Sequence, residues 1–326
     1  MLARALRLSH ALEITFYVIL VMSVGDTSFA AAIPLALLIM LALRAVLIAV
    51  SYAYARAYGL LAPRLSGRQR LLMVLGEYAS FVVTFIVIMP FERWWMGDDC
   101  LQAQPDEGRT AAAVAERRRP PILLIHGYGC SRGAWWWLRG HLEAAGWTVA
   151  TISLEPIYTS IDNYVDPVAR RVDDLLAATG AAQVILVGHS MGGLVARAYL
   201  QRYGDARVAR LLTLGTPHQG SELARLGLGD NGRQMRPHSP WLQALASPPA
   251  SVNAVALYSP HDNFVMPPAL LELRGAQEQR IDGVGHLAML YSPRVIQALL
   301  TVLEQTSARH PGTVTDAGEI TNAADA

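Results

Sequence analysis

The sequence predicts an α/β fold, a mostly parallel sheet with helices on both faces, preceded by a transmembrane α-helical region. Three observations lead there. After residue 120, short β-branched apolar runs alternate with helix-forming runs, the pattern of parallel strands joined by crossover helices. One run ends in Gly188-His189-Ser190-Met191-Gly192, a tight strand-to-helix turn. Hydrophobic residues make up 52% of the chain, more than a soluble domain needs, and the excess is concentrated before residue 92.

Residues 1–90 contain apolar stretches at about 12–24, 29–54 and 71–90. A helix needs roughly 20 apolar residues to cross the hydrocarbon, so the second and third qualify and the first is short. A cleaved signal peptide would account for residues 1–30 but not for the two later stretches. The intervening residues 55–70 carry Arg56, Arg64, Arg68 and Arg70 without an acidic residue, which assigns them to the cytoplasm. One more crossing then puts everything after residue 90 outside, in a bacterium the periplasm beyond the inner membrane. Arg4 and Arg7 fit a cytoplasmic start and Asp26 an outer turn. Arg44 is expected to snorkel from its helix to the headgroups. Phe91, Trp94 and Trp95 have the composition of an interfacial aromatic belt.

The chain thus divides into a transmembrane region of two or three helices (1–90), a linker (91–119), a catalytic domain (120–306) and a polar tail expected to be disordered (307–326). Within the third unit, strands are expected at 121–125, 148–153, 184–187, 208–214, 252–258 and about 279–281. Helices are expected at 133–145, 167–179, 190–203 and 293–305. Trp135, Trp136 and Trp137 cannot all face one way at helical spacing, and core packing is the favoured role.

Composition removes several chemistries. A net charge of +1 offers no basis for a nucleic-acid partner. All 27 basic residues are arginine, so a lysine Schiff base is excluded. Cys100 and Cys130 are too few for a cysteine-rich zinc site, and neither a metal nor another cofactor is expected. On an oxidising side of the membrane, a disulfide between these two would tie the linker to the first loop of the domain.

Ser190 lies where a strand must turn sharply into a helix, the nucleophile elbow G-x-S-x-G. A serine hydroxyl is a poor nucleophile unless a base accepts its proton and a carboxylate orients that base. Of the downstream histidines, His286 sits in a glycine-flanked loop between the last expected strand and the last helix, so it is taken as the base. Asp262 follows the strand end at 258 and is taken as the acid; Asp282, four residues from His286, is the alternative. The oxyanion of a tetrahedral intermediate needs preorganised N–H donors. Met191, next to the nucleophile, supplies one, and Tyr128 in His126-Gly127-Tyr128-Gly129 supplies the other.

His126-Gly127-Tyr128-Gly129, Gly188-His189-Ser190-Met191-Gly192, Gly215-Thr216-Pro217-His218-Gln219-Gly220-Ser221 and Gly283-Val284-Gly285-His286 together resemble the bacterial lipases and carboxylesterases of the α/β-hydrolase superfamily. The resemblance covers about residues 120–305. It implies an α/β-hydrolase fold and ester hydrolysis through an acyl-enzyme, with Ser190, Asp262 and His286 as triad and Tyr128 and Met191 as oxyanion donors. It also implies a structural His218 and a short lid at about 221–250 containing Met235, Trp241 and Leu242. The N-terminal helices depart from the secreted members of the family. The expected protein is a membrane-anchored serine hydrolase of carboxylic esters, acylglycerols or other lipids, held by membrane lipid through its helices. A thioesterase or acyltransferase would use the same triad, whereas a non-catalytic module binding a lipid or partner would have no use for it.

Overall fold

Residues 1–58, 62–101, 119–245 and 252–308 are described by the computed structural model. The expected lid residues 246–250, linker residues 102–118 and most of the expected tail lie outside them.

Among the described residues, apolar runs after residue 120 form β1 (Ile122–Ile125), β2 (Val149–Ile152), β3 (Val184–His189), β4 (Val208–Leu214) and β5 (Val255–Tyr258), and a polar run forms β6 (Gln277–Arg280). They make one parallel sheet in the order β2-β1-β3-β4-β5-β6. Strands buried on both faces are apolar throughout, and alternate residues enter opposite cores. Ile122, Leu124, Ile185 and Val187 pack on one side, where Leu138 and Leu299 project from helices Trp136–Ala144 and Pro293–Ala308. Leu123, Ile125, Val184 and Leu186 pack on the other, against helices Asp162–Thr179 and Met191–Tyr203. β6 is a polar strand at the sheet edge, paired only with β5. It begins two residues earlier than the sequence suggests. Trp135 is fully buried in the first core, and Trp136 and Trp137 pack at its margin.

Among the described residues, the N-terminal region holds three helices long and apolar enough to cross a membrane: Leu2–Gly25, Phe29–Arg56 and Gly67–Met96. The first two are α1 and α2. The third comprises α3 (Gly67–Val82), a π-helical stretch (Val83–Ile88), a 3-10 turn (Met89–Phe91) and α4 (Glu92–Met96). Pro90 offers no amide to the helix ladder, which accounts for the irregular winding around it. The first apolar stretch is not short after all, because helix winding starts at Leu2 and adds a more polar turn before it.

α1 and α2 form a hairpin about Asp26, with Val18, Ala32 and Ala36 packed between them. Arg44 does not snorkel. Its Nη1 donates to Glu13 Oε1 at 2.6 Å and its Nη2 to Oε2, a two-pronged pair between the helices that leaves neither charge alone in an apolar setting.

Both ends of the third helix touch the sheet domain. Near its start, His261 Nε2 donates to Pro63 O at 2.9 Å. At its other end Met89 and Met96 join the sheet core, and Ser131 donates to Glu92.

The start of the expected linker is likewise packed in place. The Asp99 side chain, 5% exposed, pairs with Arg132 and Arg139 at 3.0 Å and with Arg171, and accepts the Thr151 amide at 2.8 Å. Opposite charges and a strand-end amide hold it, so tethering begins no earlier than residue 100. Cys100 and Cys130 are both free thiols, one exposed and one buried, so no disulfide joins them. Burial pushes the Cys130 thiol up to about 12.

Candidate active site

Ser190 sits between β3 and the helix Met191–Tyr203 with φ 55° and ψ −127°, a conformation rare for a residue with a side chain. Its neighbours make that turn sterically possible. A Cβ added at Gly192 would meet Ile125 O at 2.0 Å, and one at Gly188 would meet Gly193 N at 2.4 Å. The backbone of β1 and the elbow pass too closely for any side chain.

His286 follows β6 and is 3% exposed. Its Nδ1 lies 2.7 Å from Asp262 Oδ2. The other carboxylate oxygen, Oδ1, accepts the amides of Phe264 at 2.7 Å and Val265 at 2.8 Å, which fixes the carboxylate toward the imidazole. Burial alone would lower the His286 pKa. The charge of Asp262 and its hydrogen bond, with a contribution from Glu77, outweigh burial and raise it above the ordinary imidazole value. Asp282 is occupied elsewhere, accepting from Arg280 Nε at 2.7 Å on the surface.

Other histidines contrast with this one. His126 accepts the Leu154 amide at Nε2, 2.8 Å away, and so presents Nδ1–H to Gly127 O at 2.9 Å. Burial holds its pKa down at about 4, so it is a neutral brace for the loop that carries Tyr128. His218 lies between the Thr213 hydroxyl, 3.0 Å from Nε2, and Arg197; burial first and the arginine second hold it neutral. His238 is exposed, and His310 lies outside the described residues.

Tyr128 and Met191 both border Ser190. A Cβ added at Gly127, one residue before Tyr128, would come within 2.8 Å of Ser190 Cβ. Met191 opens its helix, where the first amides have no carbonyl partner within the helix and the dipole favours negative charge. The Tyr128 hydroxyl accepts from Leu228 N at 2.8 Å and donates to Leu228 O at 2.9 Å, pinning the segment expected to be the lid. In that segment, Trp241 Nε1 donates to Asp162 Oδ2 at 2.9 Å. Ser190 and His286 open on one cavity of about 520 Å³, walled by Leu228 and Met235 of this segment and by Leu47, Phe81 and Phe85 of the N-terminal helices.

Several residues here carry no motif. Asn263 Oδ1 accepts the His286 amide at 3.0 Å, and His189 Nε2 donates to His286 O at 3.1 Å. Position 189 is the variable residue of the elbow pattern, and Asn263 is notable only for following Asp262. Glu77 is marked in the sequence only as the acidic residue of the otherwise apolar later part of α3.

A model of the alpha/beta hydrolase fold matches residues 120–236. A triacylglycerol lipase of Burkholderia plantarii is 34% identical over 122 residues, 35% of this chain and 34% of that protein. One from Pseudarthrobacter phenanthrenivorans is 35% identical over 114 residues, 32% and 35% of the two chains. Methylesterase 17 of Arabidopsis thaliana is 31% identical over 110 residues, covering 31% of this chain and 39% of that one. The match thus spans about a third of the first two relatives' length. Among solved structures, a mature lipase of Bacillus licheniformis superposes with a TM-score of 0.51 at 19% identity, over 61% of this chain and 96% of that one. At that identity the likeness is one of fold.

Proposed function

We propose that this chain, whose residues 120–236 match the alpha/beta hydrolase fold, is a serine hydrolase of carboxylic esters with Ser190, Asp262 and His286 as its triad. The 2.7 Å contact between Asp262 and His286, with His286 lining the same cavity as the strained Ser190, carries the proposal. Ser190 Oγ attacks the ester carbonyl while His286 Nε2 takes its proton, and the charge of Asp262 stabilises the imidazolium. The amides of Tyr128 and Met191 hold the oxyanion. Collapse expels the alcohol, which leaves with the proton from His286. Water, activated by the same imidazole, then releases the acid and regenerates Ser190.

Lipid or acylglycerol esters are the proposed substrates. Support comes from Leu47, Phe81 and Phe85, which line the cavity from helices whose outer faces are apolar, and from relatives named triacylglycerol lipases. In this proposal the α1–α2 hairpin enters the bilayer and returns, with Asp26 at the far tip. Arg4, Arg7, Arg56, Arg64, Arg68 and Arg70 then all lie at its base, on the side of the catalytic domain. The positive-inside rule makes that side the cytoplasm.

A fluorophosphonate probe tests the chemistry: it labels the wild type and not Ser190→Ala, and a folded wild type left unlabelled ends the proposal. Release from p-nitrophenyl esters, acetate to palmitate, with and without detergent, tests the lipid preference; maximal rates on acetate would contradict it. A reporter fused after residue 308 tests sidedness. Green fluorescent protein should be bright and alkaline phosphatase inactive there, and the reverse result returns the domain to the periplasm.

A further inference from the structure

Glu77 lies on α3, fully buried, in a stretch otherwise suited to lipid. Its two carboxylate oxygens are both used, Oε1 accepting the Leu287 amide at 3.0 Å and Oε2 the Ala288 amide at 2.8 Å. These are the two residues directly after His286. A Cβ added at Gly285, directly before it, would lie 2.4 Å from both Glu77 Oε2 and the Tyr52 hydroxyl. The base loop is thus pressed on α2 and α3 with no room for a side chain.

Two further ties run from the N-terminal region to the same loops. Asn263, which holds the His286 amide, donates through Nδ2 to Ser51 Oγ of α2 at 2.9 Å. His261, whose Nε2 donates to Pro63 O, accepts the Gly283 amide on Nδ1 at 3.1 Å. A fold that needed only a membrane tether has no reason to bury a carboxylate against the base loop. Burying a charge is costly unless it is hydrogen-bonded, and here the bonds go to the backbone that aims the imidazole.

We infer that Glu77 is a positioning residue for His286, so that a helix of the N-terminal region completes the hydrolase site. This rests on the ester-hydrolase reading of Ser190, Asp262 and His286. The charged and titratable groups facing the base loop are Asp262 and His261 from the acid loop, His189 from the elbow, Glu77 from α3, the Tyr52 hydroxyl from α2 and Arg294 from the last helix. Glu77 holds the loop by hydrogen bonds, and its negative charge favours the imidazolium that forms when Ser190 loses its proton.

The test uses the full chain in detergent micelles. In Glu77→Gln, kcat on p-nitrophenyl butyrate should fall roughly 10- to 100-fold with KM little changed, since a base displaced by about 1 Å loses that much. The acid limb of its kcat/KM profile should move to lower pH, because a charge that favoured protonated His286 is gone. A folded Glu77→Gln with wild-type kcat and an unmoved limb overturns the inference. If that variant folds poorly, Glu77→Asp decides: the charge stays but is one methylene short, so reduced kcat at an unmoved limb supports the role and wild-type kcat overturns it. The His286 imidazole pKa, followed by NMR on histidine-labelled protein, separates the two proposals. A fall in Glu77→Gln beside a wild type inactive on esters sinks ester hydrolysis alone; an unmoved value in an active enzyme sinks the positioning role alone.

Discussion

The sheet domain and the N-terminal helices differ most in what they leave exposed, and the helices bury polar groups beside apolar ones. β1 and β3 put leucine, isoleucine and valine inside. α2, α3 and the turns after them put Ser51, Glu77, Ser80 and Thr84 inside, and leave Leu38, Val46, Leu71 and Leu75 between 51% and 61% exposed. Water drives the first arrangement through the hydrophobic effect. The second is inside out for water but suits lipid, where apolar faces cost nothing and polar groups must find partners within the protein. Thr84 does so with the Tyr291 hydroxyl at 2.8 Å, across to the catalytic domain. The same polar contacts that satisfy the helices also bind them to the loops carrying Asp262 and His286.

The largest effects should come from the catalytic side of this contrast. Ser190→Ala and His286→Ala should each reduce kcat by about 10⁴- to 10⁶-fold, with the double variant little worse, because the two act as one unit. Asp262→Asn should lose about 10³- to 10⁴-fold; near-normal turnover would move the acid role to Asp282. Charge placed on the two kinds of apolar surface comes next. Leu186→Glu, in the sheet core, should abolish soluble expression of folded protein. Leu38→Glu with Val46→Glu, on the outer face of α2, should keep esterase activity and reduce co-sedimentation with membranes; full retention in the pellet would mean that this face is not the lipid face.

Within the hairpin, Arg44→Ala leaves Glu13 without its partner and should lower the Tm of the micelle-bound protein. Replacing both with Met should recover much of the loss, since a matched apolar pair has no charge to bury. The smallest effect is on pH. The base must be neutral to act, and Asp262 and Glu77 raise the His286 pKa above the usual imidazole value. Activity should therefore fall as pH drops through a value above about 6.5. An acid limb below 6.5 in the wild type would mean that burial outweighs both carboxylates.

The elbow and its partners were legible because each depends on local chemistry. Ser190 needs flanking glycine, His286 needs a loop after the last strand, and Asp262 needs a strand end, and all three are written within a few residues of themselves. Glu77 was not legible as part of the site, because its neighbours read only as an apolar helix and its partners, Leu287 and Ala288, lie 210 and 211 residues away. The contacts at the two ends of the third helix were illegible for a related reason. The arginines of residues 55–70 suggest a side by composition, but which other segments share that side depends on whether the next helix crosses or folds back.

By itself the sequence determined the parallel sheet, the elbow, the order of triad candidates and the existence of long apolar helices. Periodicity and glycine placement suffice for these, since they follow from backbone geometry over one turn or one strand. Only the tertiary structure decided that Asp99 is a buried anchor, that Arg44 pairs with Glu13, and that the third helix lies along the catalytic domain. Those outcomes depend on which distant surfaces meet. Buried polar groups choose their partners by proximity in space, and proximity across two hundred residues is set by packing.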